Sequence, residues 1–328
     1  MYYTHRGILL SFVLVAVVAF SPAVNDFFLH SPDGILDSVS EIYGVQGGGA
    51  TMVAGISSFV HPLPFPDISS ESFFIGDMNS GVVWKEKEPD STHPIASLTK
   101  IATSLLFFEN ISQNEWYRVS KEAKNTIPKL SSIPEGAFIS APDIIRLMMM
   151  ESDNDIAQVA AEKIGRAINF EKQDDLDYNF ALQATISAMN ARVHELGLLN
   201  TNFINPIGLD DALQYSSARD LFYLVKYIFE NRLTIWHLSR RYHASVVYKN
   251  LDGKMSEISI TNTNPLIQDY PRIIGSKTGL TGDAGQALSF IYRLKDGRAI
   301  GVVLLKSQDR FGDGEKIIQW LDAMPLKK

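Results

Sequence analysis

The chain has 328 residues, 45% apolar and 20% charged, with 30 Lys+Arg against 37 Asp+Glu and a net charge of −7. An acidic chain lacks the cationic surplus that a phosphate backbone demands, so nucleic acid is excluded as a partner, and the apolar share is too high for a disordered protein. The absence of cysteine removes disulfides, thiolate nucleophiles, Cys-based zinc sites and Cys-linked lipid together.

In chain order, the first element is an export segment. His5 and Arg6 precede Ile8 to Phe20, a run with one Ser and no charge, the length of a signal-peptide apolar region. Its continuation to Leu29 approaches the roughly 20 residues that span a bilayer. Residues 1–29 are therefore read as a signal peptide or an N-terminal membrane anchor rather than a buried core helix. The rest of the chain is placed outside the cytoplasm, tethered if this segment stays and secreted if it is cut. Residues 30–67 read as a linker. Ser31-Pro32-Asp33 starts a short helix with Ile35, Leu36, Val39, Ile42 and Tyr43 on one face. Gly47-Gly48-Gly49 and the prolines at 62, 64 and 66 then form a partly extended spacer. One domain is expected over 68–328.

Within it, 73–77 and 82–85 read as strands around a turn at 78–81. Helices follow over 97–109, 141–150, 154–165, 177–195 and 217–230. Ser140 with Asp143 and Ser217 with Asp220 have the spacing of capping boxes. Strands are expected at 244–249, 256–260, 272–277, 286–294 and 299–306, with a hairpin turn at 295–298 and a last helix over 314–323. Strands at both ends around a helical middle predict an α+β domain whose terminal segments share a sheet.

Three short patterns carry chemistry: Ser97-Leu98-Thr99-Lys100, Ser152-Asp153-Asn154 and Lys277-Thr278-Gly279. Each alone is common; their order and placement make the signal. On a helix, Ser97 and Lys100 are i and i+3, so hydroxyl and amine share a face. A helix start favours developing negative charge at Ser97. For Lys100 to act as a base its pKa must drop by about 3 units, roughly 4 kcal/mol; desolvation with a second cation nearby, Lys277, is the expected cause. Ser152 and Asn154, between two helices, offer a proton relay and an amide to hold Lys100 or a substrate carbonyl. Lys277 and Thr278 offer a cation and a hydroxyl to a substrate carboxylate.

These patterns resemble the D-alanyl-D-alanine carboxypeptidases, the low-molecular-mass penicillin-binding proteins of serine peptidase family S11. The likeness runs from about 72 to 323. It takes in Asp77-Met78-Asn79-Ser80-Gly81, Ala96 to Thr103, Leu196-Gly197-Leu198, Asn205-Pro206, Gly208-Leu209, Ser216-Ser217-Ala218, Asn262, Asn264, Lys277 to Thr281, and Ala284-Gly285. The resemblance implies a β-lactamase/transpeptidase-like fold, a mainly antiparallel sheet flanked by helices with a helical lobe. It makes Ser97 the acylated nucleophile and Lys100 its base. Ser152 and Asn154 assist proton transfer and substrate holding, Lys277 and Thr278 bind substrate, and the backbone N–H groups of Ser97 and Leu280 form the oxyanion hole. The implied reaction removes D-Ala from peptidoglycan stem peptides in the bacterial envelope. It needs no metal or organic cofactor, and β-lactams are implied covalent inhibitors.

Two departures are expected to matter. Ser-Asp-Asn stands where the family more often has Ser-Gly-Asn, so Asp153 brings a negative charge towards the site. The chain also ends soon after the catalytic region, a build shared with D,D-endopeptidases, which leaves that activity as the alternative. A class A-like β-lactamase is disfavoured because Glu195 has the wrong spacing to Asn200 for a deacylating carboxylate. A non-catalytic wall-binding protein has no need of a paired Ser and Lys. Asp175, Asp177 and Asn179 imitate a calcium loop but lack its glycine. His237 and His243 read as surface residues, His93 as a loop residue near the cleft, and Met148–Met150 as core. Arg310 sits in a turn with the option of facing the cleft.

Overall fold

The computed structural model describes residues 63–125, 131–169 and 177–323; the expected export segment and nearly all of the expected linker lie outside the described residues. Strand β1 (Ser72–Asp77) is buried along its whole length. A strand that is apolar on both faces belongs in the middle of a sheet covered on both sides. It pairs antiparallel with β11 (Ala299–Ser307), Ile75 opposite Val302, so the two ends of the domain do share a sheet. With β2 (Val83–Lys87), β9 (Ile273–Thr281) and β10 (Gly285–Arg293) they form five antiparallel strands in the order β2-β1-β11-β10-β9. Strand β9 is an outer strand, the position at which a sheet can address a ligand or another segment.

The expected strands near 244–249 and 256–260 are present as β7 (His243–Lys249) and β8 (Met255–Thr261) but do not join that sheet. They pair with two strands that the sequence reading passed over, β4 (Trp116–Arg118) and β5 (Phe138–Ser140), in a separate four-stranded sheet. Three-residue strands are too short to display an alternating pattern. A two-stranded ladder joins β3 (Thr92–His93) to β6 (Ser216–Ser217).

The helices are α1 (Thr99–Asn110), α2 (Ala141–Arg146), α3 (Asn154–Ile168), α4 (Tyr178–Glu195), α5 (Ala218–Asn231), α6 (Thr234–Leu238), α7 (Leu266–Asp269) and α8 (Arg310–Asp322). Capping follows the sequence: Ser140 accepts from the Asp143 backbone N–H and Ser217 from that of Asp220, satisfying donors that a helix start leaves open. Asp177, half of the false calcium loop, caps α4 through the N–H groups of Asn179 and Phe180. Helix α8 begins at Arg310, earlier than expected, because Asp309 caps it.

Two apolar clusters flank the five-stranded sheet. The larger joins it to the helical lobe and holds Leu98, Ile101, Met148, Met149, Met150 and Phe222. The other lies under α8, where Phe65 stacks on Phe73 at 5.2 Å and meets Trp320 edge-on at 5.1 Å. Packing thus reaches a few residues upstream of the boundary expected at 68. Among the described residues no helix is long and apolar enough to cross a membrane.

Candidate active site

Ser97 does not lie in the first turn of an α-helix. It occupies a 3-10 turn, Ala96–Leu98, that feeds α1, and the residue before it, Ala96, has φ +47°. That left-handed conformation is strained for alanine. The backbone accepts it because two glycines let other segments close on this turn. A Cβ on Gly208, itself at φ +90°, would lie 1.9 Å from the Ala96 carbonyl oxygen and 2.9 Å from the Ser97 nitrogen. A Cβ on Gly279 would lie 2.8 Å from the Ile95 carbonyl oxygen. The Ser97 turn is therefore clamped between the 205–209 loop and outer strand β9. That loop is wound around Asn205, whose Oδ1 accepts from the N–H groups of Gly208 (2.7 Å) and Leu209 (3.0 Å). Gln214 ties it to α1 through Thr99 Oγ1 at 3.2 Å.

Lys100 is fully buried. Its Nζ makes three contacts: Ser97 Oγ at 3.0 Å, Asn154 Oδ1 at 2.7 Å and the Ile207 carbonyl oxygen at 2.8 Å. Burial pushes the amine down to about 7, against the opposing pull of the Asp153 carboxylate. That corresponds to about 5 kcal/mol in favour of the neutral form. The expected second cation is present but acts the other way round. Lys277, equally buried, is driven well below its ordinary range by burial first, then by Lys100 and Arg310. Desolvation therefore lowers Lys100, and the mutual repulsion falls on Lys277.

Ser152 and Asn154 owe their places to an irregular helix. After Arg146 the chain widens into a π turn, Leu147–Glu151, which ends at Ser152 in the left-handed region (φ 63°); such turns recur at functional sites. The chain then re-enters a helix at Asn154, capped by Asp153 through the Ile156 N–H at 3.0 Å. The expectation that Asp153 adds charge towards the site is met by position and not by contact, since the cap holds its side chain with 1% exposure. Thr263 links this elbow to β9: its hydroxyl contacts the Met150 carbonyl at 3.1 Å and the Thr278 hydroxyl at 2.6 Å.

Direct bonds thus join Ser97, Lys100 and Asn154. Thr278 joins through Thr263, Lys277 through charge, and Ser152 stands on the elbow without a direct bond to Ser97 or Lys100. Leu280, beyond Gly279 on the outer strand, is 61% exposed. Arg310 takes the cleft-facing option: it donates to the Gly279 carbonyl and its charge bears on Lys277. His93 has Glu71 and Lys306 as its charged neighbours, while His237 and His243 are exposed. The sequence reading missed the Ile207 carbonyl, the Asn205 winding and Thr263. A carbonyl has no sequence signature, and the other two act only through folding.

The family model described as D-alanyl-D-alanine carboxypeptidase, Peptidase S11, matches residues 59–308. The chain is 28% identical to D-alanyl-D-alanine carboxypeptidase DacA of Haemophilus influenzae, covering 82% of this chain and 69% of that protein. It is 27% identical to a D-alanyl-D-alanine endopeptidase of Pseudomonas aeruginosa, covering 78% of each. With D-alanyl-D-alanine carboxypeptidase DacF of Bacillus subtilis it shares 30% identity over 71% of this chain and 57% of that protein. Among solved structures, the Streptomyces K15 DD-transpeptidase superposes with a TM-score of 0.73 at 21% identity, covering 80% of this chain and all of that one. That likeness establishes the β-lactamase/transpeptidase-like fold.

Proposed function

The chain belongs to the D-alanyl-D-alanine carboxypeptidase family of serine peptidases, and from that premise we propose that it removes the terminal D-Ala of peptidoglycan stem peptides through an acyl-enzyme on Ser97. One observation carries the reading. Two of the three partners of Lys100 Nζ, the Ile207 carbonyl oxygen and Asn154 Oδ1, are acceptors only. A neutral amine has two N–H groups and one lone pair. The acceptors take the two N–H groups, which leaves the lone pair for the Ser97 hydroxyl. Lowered to about 7, Lys100 is neutral in about half of the molecules at pH 7, oriented and ready to accept the Ser97 proton.

In the proposed sequence Ser97 Oγ attacks the carbonyl of the penultimate D-Ala, and Lys100 takes the hydroxyl proton. The C–N bond breaks, and that proton passes to the leaving amine of the terminal D-Ala, with Ser152 placed as a relay. Water then attacks the ester and gives a proton to Lys100, and the bond from the acyl carbon to Ser97 Oγ breaks. Lys100 returns that proton to Ser97 Oγ, and the shortened peptide leaves as a carboxylate after its acid proton passes to solvent. Lys277, Thr278 and Arg310 supply the cationic side of the crevice, suited to the substrate's terminal carboxylate. That carboxylate would restore the charge that burial and Lys100 deny to Lys277. The N–H groups of Ser97 and Leu280 are the proposed oxyanion donors. β-Lactams would acylate the same hydroxyl. The 1–29 segment is proposed to carry this domain across the membrane and, if uncut, to tether it in the envelope.

Cleavage within cross-links is the second reading, favoured by relatives named endopeptidase that match at the same identity and cover more of their own length. The protein is tested by incubation with a D-Ala-D-Ala pentapeptide, with cross-linked muropeptides and with a fluorescent penicillin. Release of free D-Ala is expected, and loss of muropeptide dimers instead would select the endopeptidase. Covalent label on wild type and none on Ser97→Ala is expected; an unlabelled wild type overturns the enzymatic reading.

A further inference from the structure

Asp153 is unusual for a capping residue. Its Oδ1 accepts from the Ile156 N–H at 3.0 Å, while its Oδ2 is buried with no hydrogen bond of ordinary geometry among the described residues, the Ser131 side chain being the further donor that bears on the carboxyl. Capping does not require a charge, because Asn and Ser cap a helix as well as Asp does. A buried carboxylate therefore stands one residue from Asn154, whose Oδ1 holds Lys100 Nζ at 2.7 Å, in surroundings too dry to screen it.

We propose that Asp153 is a positioning residue acting through Lys100, its buried carboxylate holding the proton on that lysine and so setting the acidic edge of Ser97 activation. The groups that face Asp153 come from every side of the elbow. Lys124 stands on the 3-10 turn Ala123–Asn125, Ser131 on the next loop, Glu151 on the π turn, Asp155 on its own helix and Lys100 on α1. Lys124 is engaged elsewhere, 3.0 Å from Asp155 Oδ2. Burial, above all, raises the Asp153 carboxyl, while the Ile156 N–H and Ser131 favour its ionised form. Burial lowers Lys100 and Asp153 raises it. The lysine thus stays lowered enough to lose its proton near neutrality and no further. On the cleft side Lys277 faces Lys100 with the opposite sign.

The kinetic half of this inference rests on Lys100 being the base; the titration half does not. Asp153→Asn and Asp153→Ser keep a capping side chain and remove the charge. In the full chain, the Lys100 side chain is titrated by NMR, its signal assigned with Lys100→Arg, and the rate of acylation by a fluorescent penicillin is followed against pH. Both midpoints are expected to fall together by about one pH unit, making the variants about tenfold faster than wild type below the wild-type edge. An unmoved lysine titration overturns the proposal, as does an acylation edge that shifts without it. If both variants fail to fold, the carboxylate serves the fold and the proposal fails. Should wild type never acylate, the enzymatic reading falls, and the lysine titration still decides whether Asp153 governs Lys100.

Discussion

The two faces of the five-stranded sheet bury polar groups on opposite terms. On the rear face, under α8, the buried carboxylate of Asp313 receives the Ser69 N–H and the hydroxyls of Ser69, Ser70 and Ser307, at 2.7–3.1 Å. Burial alone would raise it, but these donors hold it below its ordinary range. On the front face Lys100 and Lys277 are both buried, Lys100 lowered by that burial and Lys277 by burial and then by Lys100, and Ala96 and Ser152 hold left-handed backbone. The rear face surrounds the Asp313 carboxylate with donors, although Asp322 Oδ1 on the same helix is buried without a partner among the described residues. The front face leaves an amine lowered to about 7 and a strained backbone, features that gather at functional sites. Stability and chemistry should therefore separate by face under mutation.

The largest effect that can break this contrast is in the rear core. Trp320→Ala removes a ring packed on Phe65 and Trp84 and is expected to destabilise by about 3–5 kcal/mol. Penicillin acylation by the folded fraction should be unchanged; thermal unfolding beside acylation rates checks both. A fall in intrinsic acylation would show that the faces are coupled.

Gly208→Ala tests the converse. The new methyl meets backbone at 1.9 Å, so the Ser97 turn must shift, and an ångström-scale displacement is expected to slow the proposed reaction by about 10²-fold. Kinetics of acylation should record that loss with a smaller change in unfolding midpoint than Trp320→Ala produces.

A subtler test uses pH. Asp313 has a lowered carboxyl, so its stabilisation is present above the unfolded-state value near 3.8 and is lost as pH falls through its lower folded value. Asp313→Asn should be less stable than wild type by about 1–3 kcal/mol at neutral pH, and the gap should close in acid. Denaturant unfolding at pH 7 and pH 3 measures it; a gap independent of pH would remove the charge from the explanation.

The smallest effect sharpens the reading of strain. Ala96→Gly relieves the left-handed conformation but frees the unfolded chain, so stability should rise by less than about 1 kcal/mol. Acylation should fall only a few-fold as the turn before Ser97 loosens.

Some of this was legible without coordinates. Ser140 and Ser217 cap the helices their spacing predicts, and the apolar runs of β1 and β11 place the first and last strands of the domain in one sheet. These are local or periodic features, written in consecutive residues. The strands β4 and β5 escaped because three residues display no period. Ser97 was assigned to an α-helix because nothing local announces that Gly208, more than a hundred residues later, permits a different turn.

Residue type and spacing along the chain are enough to single out Ser97, Lys100, Ser152, Asn154, Lys277 and Thr278 as candidates for the proposed chemistry. Their surroundings, which come from the fold, set the properties of those groups. The amine of Lys100 is lowered to about 7 because the packing of α1 against α3 and the 205–209 loop took it from water, and Ser97, Asn154 and Ile207 reach it from three separate segments. Proton affinity is a property of surroundings, and those surroundings come from segments far apart in the chain.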